Sequence, residues 1–267
     1  GDAKAPIAFR LGRQELVYGE SRLLGSLPWV NTGRSWDAAK VILRSSLFQV
    51  DLFGSPFLRS LPNELDKSGN GTHFAGAYAS STKLLPKATV EPYVFWRRDV
   101  NIRSELGALG TLSQTTIGTR VAGQLPARLD YGVEMALQRG GLDQDSINAW
   151  AGHWQVRASL PGWSAPKITS EYNFASGDDV ANDGRRQTFD QLYPTGHDKL
   201  GLADQVGWRN VHHLREGIEV TPIKATPISL NYHSWWLAST TDALYSASGA
   251  LLVPRVAVGA TNSHLGQ

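Results

Sequence analysis

The sequence has no cysteine and only one methionine among its 267 residues. Without cysteine, the chain can form no disulfide, no thiolate nucleophile and no cysteine-bound metal site. No apolar stretch approaches the roughly 18 residues that a transmembrane helix requires. The net charge is only +2, so the charge balance predicts neither a nucleic-acid partner nor an acidic tail.

The short motifs of common catalytic sites are also missing. The sequence contains no Gly-x-Ser-x-Gly, no His-Glu-x-x-His and no phosphate-binding loop. The adjacent residues His212 and His213 would point to opposite faces of a strand, which is a poor arrangement for zinc. Acidic pairs occur, but none is singled out for glycoside cleavage. We therefore predict no enzymatic activity, no catalytic residue, no metal site and no cofactor.

Aromatic residues are abundant, with nine tryptophans and eight tyrosines. This content is high for a soluble domain and typical of the aromatic girdles at membrane interfaces. Trp235 is expected on a polar strand face, where it could stack on a sugar ring rather than face lipid. The residues expected to face lipid or to form a girdle are Trp150, Trp154, Trp163, Tyr172, Trp208 and Trp236.

Residues 128–139, with the sequence RLDYGVEMALQR, show the alternation on which the fold prediction depends. One set of alternate positions carries Arg128, Asp130 and Glu134, whereas the other, from 129 to 137, carries only apolar or aromatic side chains. A period of two predicts a β-strand with one polar and one apolar face. Because a packed core does not tolerate unpaired charges, the polar face meets water. That water lies either outside a soluble sheet or inside a barrel whose outer face meets lipid.

The same alternation predicts about eleven strands, separated by short turns and long loops. Short turns at one rim and long loops at the other are typical of outer-membrane barrels. The alternatives are a soluble sandwich, propeller or β-helix, and the lack of a fixed repeat argues against the last two. We predict an all-β fold, an antiparallel transmembrane β-barrel. The predicted strands cover residues 6–14, 37–44, 48–53, 72–81, 89–98, 115–122, 128–139, 147–158, 166–174, 214–222 and 228–238, with one more beginning at residue 255.

Several stretches of the sequence carry a family resemblance. They are LGRQELVYG at residues 11–19, WVNTGRSWD at 29–37, TFDQLYPTGH at 188–197, LGLAD at 200–204, LNYHSWWL at 230–237 and SHLGQ at 263–267. Together they span nearly the whole sequence, and their order is the expected one. In these stretches the sequence resembles the alginate export family of outer-membrane barrels.

The resemblance implies a barrel of roughly 18 strands, of which this sequence would supply about eleven or twelve. It implies one β-barrel domain over residues 1–267, incomplete at both ends, with a long extracellular or pore-lining loop at residues 175–203. It also implies a monomeric barrel in the bacterial outer membrane that passively exports an anionic polysaccharide, alginate or a similar polyuronate. Outer-membrane lipid and periplasmic export proteins would be its other partners, and no nucleic acid is expected.

Alternation also assigns charged residues to the polar strand faces, where they would line the pore. Rings of Arg and Lys select anions, and the planar guanidinium group can bind both oxygens of a carboxylate. Such charges can equally form salt-bridged ladders that stabilise the wall and select nothing, and both interpretations stay open. The predicted lining bases are Arg10, Lys40, Arg44, Arg97, Arg120, Arg128, Arg157, Lys167 and Arg215, and the acids are Asp51, Glu91, Asp130, Glu134, Glu171 and Glu219.

A second set of candidates lies near strand ends and in loops. Arg13 and Arg34 either guide carboxylates at a pore mouth or hold a loop by hydrogen bonds, and Asp37 is predicted to pair with one of them. His197 is predicted to anchor the long loop rather than to bind metal. Residues 179–190 loosely resemble a calcium loop, but the third position is alanine and no glutamate closes the loop. A solvated loop that folds over or into the pore is the preferred interpretation.

Two other functions fit the same sequence pattern. A general or small-acid porin would keep the barrel and change its lining. A soluble all-β enzyme that acts on polysaccharide, such as a lyase, would need a Tyr/His or Lys/Arg constellation in a cleft. Such an enzyme would be soluble without detergent and would shorten the polymer, whereas a barrel would need detergent and leave the polymer intact.

Overall fold

The chain forms a meander of antiparallel strands in the structure, a computed structural model. The structure describes residues 6–29, 33–59, 67–255 and 261–267, with all their side chains except those of 57–59 and 67–70. The strands are β1 (Ile7–Gln14), β2 (Trp36–Arg44), β3 (Gln49–Arg59), β4 (Lys67–Ser80), β5 (Ala88–Arg103), β6 (Leu109–Leu125), β7 (Leu129–Leu142), β8 (Asp145–Ser159), β9 (Lys167–Ala175), β10 (Arg185–Arg186), β11 (Val211–Ile223), β12 (Thr226–Trp236), β13 (Leu244–Tyr245), β14 (Leu251–Val253) and β15 (His264–Gly266).

Thirteen of these strands belong to one sheet. Its order follows the chain from β1 to β9 and continues through β11 and β12 to β15, with β10 beside β8. The strands β13 and β14 form a separate pair. Among the described residues, no helix is long and apolar enough to cross a membrane.

The register of the sheet brings polar side chains from successive strands into one row. Glu134 of β7 lies opposite Arg120 of β6 and His153 of β8. His153 lies opposite Asn173 of β9, which in turn lies opposite His213 of β11. Residues directly opposite each other in an antiparallel sheet share a face and interact through their side chains. The row therefore crosses several strands on one face, as alternation predicts.

Two long loops cover this same face, which we call the inner face. The first loop, described at residues 15–29 and 33–35, joins β1 to β2, and the second loop, residues 176–210, joins β9 to β11. The two loops meet in a short parallel bridge between Leu24 and Tyr193. The second loop is longer than the predicted segment 175–203 and contains only the short strand β10.

An aromatic core holds the second loop to the inner face. Phe74 of β4 is fully buried, and its ring centroid lies 5.1 Å from that of Tyr193 in the second loop. Trp36 lies 5.3 Å from Phe74, and Phe53 and Phe95 each lie 5.7 Å from it. Such aromatic pairs add to the stabilisation that burial already gives. The inner face thus carries an apolar core beneath the second loop in addition to the polar row.

The outer face of the sheet carries exposed apolar side chains. Leu11 is 87% exposed and Leu230 is 73% exposed. Contiguous apolar surface of this kind is rare on a protein surrounded by water. Glu216 is an exception on this face, where it accepts a hydrogen bond of 2.7 Å from the Ser170 hydroxyl. The pattern is that of a sheet whose outer face meets lipid.

The aromatic residues predicted to face lipid behave differently in strands and in loops. Trp150 and Tyr172, on the outer face, are partly exposed, and Trp163 is 84% exposed in a turn. The prediction for Trp208 is wrong, because this residue belongs to the second loop and is buried. Its indole Nε1 donates to the carbonyl oxygen of Phe174 at 2.9 Å. Trp208 precedes β11, so strand alternation does not apply to it.

Arg128 lies outside the strand that was predicted to contain it. β7 begins at Leu129, and Arg128 belongs to a 3₁₀ turn, Pro126–Arg128. Ala127 and Arg128 have positive φ angles of 63° and 59° and reverse the chain between β6 and β7. The Arg128 side chain is exposed. The prediction that Arg128 belongs to the polar strand face is therefore wrong.

Other strand boundaries also differ from the predicted ones. β6 is longer than the predicted residues 115–122, and β11 begins at Val211 rather than at residue 214. The predicted loop at residues 239–254 contains the pair β13 and β14. The strand predicted to begin at residue 255 runs into residues outside the described ranges, and β15 follows them.

Candidate functional site

Arg22, from the first loop, reaches the polar row on the inner face. Its side chain is only 4% exposed. The guanidinium forms ion pairs with Glu171 (Nη2–Oε1, 3.0 Å) and Glu20 (Nε–Oε2, 3.5 Å). It also donates to Asn173 Oδ1 at 3.2 Å and lies 3.2 Å from His153 Nε2. A buried network of charges and hydrogen bonds therefore joins the first loop to the sheet.

Arg22 also fixes the direction of a hydrogen-bonded chain across β8, β9, β11 and β12. A guanidinium group can only donate, so His153 Nε2 accepts and His153 Nδ1 donates to Asn173 Oδ1 at 2.8 Å. Asn173 Nδ2 then donates to His213 Nδ1 at 2.9 Å. His213 Nε2 therefore carries a proton and donates to His233 Nδ1 at 2.9 Å. The chain ends with His233 Nε2 as an N–H donor.

Arg120 of β6 makes a second connection between the first loop and the sheet. Its Nη2 lies 2.7 Å from Glu20 Oε1, and its Nη1 binds Glu91. Burial alone would raise the pKa of Glu20, but Arg22 and Arg120 lower this pKa to about 2. Glu20 is therefore ionised at neutral pH. Glu134, in the same row as Arg120, is buried and accepts a hydrogen bond of 2.9 Å from the hydroxyl of Tyr93.

Arg97 of β5 fastens the second loop. Its Nη1 lies 2.6 Å from Asp190 Oδ2, and its Nη2 lies 2.6 Å from Asp99 Oδ2. Gln138 of β7 adds two hydrogen bonds to the backbone of Asp190, at 2.6 Å and 2.8 Å. Burial raises the pKa of Asp190, but Arg97 and Arg209 outweigh it and lower this pKa. Asp190 is therefore an anchor for the loop in its ionised form.

Arg34 makes the contacts of a loop anchor. Its Nη1 donates to the carbonyl oxygens of Gly25 (3.0 Å) and Pro194 (3.1 Å), one in each long loop. Burial lowers the pKa of Arg34 to about 10, so the group stays charged at neutral pH. Arg13 pairs instead with Asp37 (Nε–Oδ1, 3.0 Å), and this exposed pair shares the face that carries Leu11.

His197 lies in the second loop and contacts residues of both loops. Its Nδ1 lies 2.9 Å from Asp204 Oδ2, and its ring centroid lies 4.9 Å from that of Trp29. Within the described ranges, no group of three or more His, Cys, Asp or Glu residues could hold a metal ion. In the segment that resembles a calcium loop, Asp183 accepts a hydrogen bond from the backbone N–H of Arg185.

A cluster of carboxylates joins the second loop to neighbouring loops. Arg255 lies 2.9 Å from Asp178, 3.5 Å from Asp242 and 3.7 Å from Glu105. Asp145 accepts a hydrogen bond of 2.9 Å from the backbone N–H of Glu105. Burial, and then the neighbouring Asp178, raise the pKa of Glu105 to about 7. This contact between loops therefore titrates near neutral pH.

We expect the contact of Glu105 with the second loop to weaken as the pH rises. The pKa of Glu105 in the folded protein, about 7, is above its ordinary value of 4.5. The stabilisation is therefore fully present below pH 4.5 and is lost as the pH rises through about 7. Protease cleavage in residues 176–210 of the detergent-solubilised protein should increase between about pH 6 and 8.

The variant Glu105→Gln stays neutral and should lose this pH dependence. The matched control is Asp179→Asn, at an exposed position in the second loop. This variant should keep the pH dependence of cleavage. Equal pH dependence of cleavage in Glu105→Gln and in the unaltered protein would contradict the assignment.

Two polar cavities border the inner face beside the loops. The first has a volume of about 700 Å³ and the second about 470 Å³, and Gly19 of the first loop lines both. The first cavity is lined by residues that include Arg10, Lys40, Gln49, Asp51, Tyr78 and Glu91. The second is lined by residues that include Glu20, Arg22, Gln155, Arg157, Glu171, Lys199 and Arg215.

The predicted lining bases fall into two groups. Arg10 makes no ion pair or hydrogen bond with a described residue, and Arg157 makes only a hydrogen bond of 3.2 Å to Thr169 Oγ1. Asp130 lies opposite Arg157 in the register without forming an ion pair. Arg44 donates to Gln49 at 3.3 Å. Ion pairs within the described ranges include those of Lys40 with Asp51, Arg97 with Asp99 and Asp190, Arg120 with Glu20 and Glu91, Lys167 with Glu219, and Arg215 with Glu171.

Sequence alternation missed the loop residues that take part in the site. Glu20, Arg22, Asp190 and Lys199 lie in no strand, so no period of two marks them. The only sequence signal is that Glu20 and Arg22 directly follow the stretch LGRQELVYG at residues 11–19. The strand partners of Arg22 and Asp190 lie far away in the sequence, so neighbouring residues do not predict these contacts.

A comparison with models of protein families shows the family of this chain. The family model described as alginate export matches residues 2–267. The chain belongs to the alginate export family. A search of curated proteins gave no significant match. The predicted family and the predicted all-β barrel class are thereby confirmed.

Membership of the alginate export family also sets the broad function. This is a family of transport proteins rather than of enzymes, and it implies a location in the outer membrane.

Proposed function

We propose that this protein is a passive outer-membrane channel for an anionic polysaccharide, alginate or a similar polyuronate. The observation that carries the proposal is the position of Arg10 and Arg157. Each lines one of the two polar cavities, and neither forms a direct ion pair with an acid among the described residues, although Glu219 lies near enough to Arg157 to interact with it. Unpaired bases in a confined aqueous space attract anions and raise their local concentration. A polymer with a carboxylate on each sugar matches this lining.

The bases that form ion pairs have a different role in the proposed channel. Pairs such as Lys40 with Asp51 and Lys167 with Glu219 compensate each other and stabilise the wall. Acids between the bases also limit how tightly a polyanion is held, which lets it move on. The lining thus combines a salt-bridged ladder with a few free bases.

The two long loops are the proposed gate. Residues 15–29, 33–35 and 176–210 pack against the inner face, which is the lumen face of the proposed channel, through the aromatic core and through Arg22. We propose that the second loop is pore-lining rather than extracellular and that both loops move aside when polymer passes. Periplasmic export proteins would deliver the polymer, outer-membrane lipid would surround the single barrel domain, and each monomer would have its own pore.

Single-channel recording of the full-length protein in planar bilayers tests the proposal. The reversal potential under a salt gradient gives the charge selectivity, and titration with mannuronate or guluronate oligomers gives the block. Anion selectivity with block by these oligomers supports export of a polyuronate. A non-selective pore without block would identify a general porin, and a pore that only small organic acids block would identify a small-acid porin. Shortening of the polymer would identify an enzyme.

Arg157→Gln is expected to weaken the block by a uronate oligomer roughly three- to fivefold, the loss of one solvent-accessible ion pair. Arg128→Gln is the matched control, because Arg128 is exposed in a turn outside the strands. It should leave the block within about twofold. Equal losses in the two variants would mean that the position of Arg157 in the cavity is irrelevant to anion binding.

A further inference from the structure

A third cavity, of about 740 Å³, lies between the lumen face and the end of the second loop. Its lining includes Arg215 of β11 and Asn231, His233 and Trp235 of β12. Arg215 also lines the second polar cavity, so the two spaces are adjacent. The third cavity differs from the first two because it contains an indole ring among its polar groups.

The indole of Trp235 is held in one orientation and has open space beside it. Its ring lies nearly parallel to those of His213 and His233, with centroids 5.7 Å and 5.4 Å away. Its Nε1 donates to the carbonyl oxygen of Leu200 at 2.9 Å. The residue opposite Trp235 on β15 is Gly266, and a Cβ placed there would meet no atom of the described residues within 4 Å. A flat molecule can therefore approach the indole from the side of β15.

Three groups of the cavity offer N–H donors without a partner among the described residues. His233 Nε2 is the donor at the end of the chain that Arg22 orients. Arg215 Nε is buried and has no hydrogen-bond partner, while its Nη2 is fixed 2.7 Å from Glu171 Oε2. The Asn231 amide is exposed beside them on β12. A buried donor without a partner is costly, so a ligand with acceptor oxygens would be favoured here.

The acids of the cavity do not cancel this preference. Asp198 lies 3.2 Å from Lys199, and Asp204 lies 2.9 Å from His197. Each acid therefore has a cationic or N–H partner of its own. Their remaining lone pairs can accept hydrogen bonds from hydroxyl groups, which a sugar supplies and a simple carboxylic acid does not.

We infer that this cavity binds one carboxylated sugar ring of the transported polymer. The apolar C–H face of the ring lies on Trp235, its carboxylate accepts from Arg215, and its hydroxyl groups bind His233 and Asn231. Aromatic rings and a few fixed polar groups are the usual composition of such sites. The inference rests on the proposed export function and adds a defined binding position to it.

The test is block of the full-length channel in planar bilayers by two oligosaccharides of equal length. One is a mannuronate oligomer, and the other is the same oligomer with its carboxyl groups reduced to alcohols. The variants are Trp235→Ala, Trp235→Phe and Arg215→Lys. The matched control is Trp236→Ala, because Trp236 lies next in the sequence and on the outer face. Resistance of the folded barrel to denaturation by SDS at room temperature shows that each variant is folded.

Trp235→Ala should weaken block by both oligomers roughly five- to tenfold, because both lose the stacking surface. Trp235→Phe keeps an aromatic face and should stay within about twofold of the unaltered protein. Arg215→Lys keeps the charge but loses the Nε donor, so it should weaken only block by the charged oligomer. Trp236→Ala should leave block by both oligomers unchanged.

Block that Trp235→Ala leaves unchanged would overturn this site and leave the proposed channel intact. A loss in Trp235→Phe as large as that in Trp235→Ala would also overturn it, since the hydrogen bond to Leu200 would then explain both. Absence of block in the unaltered protein would overturn the proposed function and the site together.

Discussion

Replacing Arg22 with leucine is expected to lower the free energy of unfolding by about 3–5 kcal/mol, the usual cost of removing one partner of a buried ion pair. Arg22 is almost completely buried and contacts Glu171, Glu20, Asn173 and His153. Its removal leaves Glu171 with Arg215 as its remaining ion-pair partner and leaves the first loop without its central contact to the sheet. Urea unfolding in lipid vesicles, followed by tryptophan fluorescence, measures the change.

Arg10→Leu is the matched control for this substitution. Arg10 is exposed and has no partner among the described residues, so its loss should change the free energy of unfolding by no more than about 0.5 kcal/mol. In planar bilayers Arg22→Leu should also raise the fraction of time that the channel is open, because the first loop is released. Similar stability and similar gating in the two variants would show that Arg22 does not hold the loop.

Phe74→Ala is expected to destabilise the protein by about 3–5 kcal/mol through loss of buried ring area and formation of a cavity. Phe74 lies at the centre of the aromatic core, in contact with Trp36, Phe53, Phe95 and Tyr193. The substitution should loosen the second loop through Tyr193, so proteolysis in residues 176–210 and channel noise should both increase. The same unfolding and bilayer measurements apply.

Phe74→Leu separates the effect of volume from that of position. Leucine fills much of the space and keeps the site apolar, so its cost should be less than half that of alanine. An equal cost for the two variants would mean that stacking, rather than filled volume, fixes the core. A negligible cost for both would mean that the core is not what holds the second loop.

Much of the sheet could be predicted from alternation alone. Glu134, His153 and Glu171 lie on the predicted face because short turns keep successive strands in a simple antiparallel register. Alternation also puts Phe53, two positions after Asp51, and Phe95, two positions before Arg97, on the same side as the charged residues. It could not show that these rings are buried, because that depends on a loop that folds back onto them from a distant part of the chain.

The loops explain what the sequence pattern missed. Arg22 and Glu171 are 149 positions apart, and a contact over such a separation leaves no local period in the sequence. Trp208 was misplaced for a related reason, because a tryptophan outside a strand has no face that alternation can assign. Arg128 was misplaced because its left-handed backbone conformation is rare for a residue other than glycine.

The two loops on the lumen face bear on the permeability barrier of the bacterial envelope. A pore wide enough for a polysaccharide chain would also admit large antibiotics and bile salts if it stood open. Arg22, Phe74 and Arg34 hold the loops against the inner face, so these contacts would favour the closed state of the proposed gate. Since a ligand shifts such an equilibrium only by binding the open state more tightly, the polymer itself would supply the free energy for opening. A cell that makes the protein before it makes polymer would thus keep its envelope sealed.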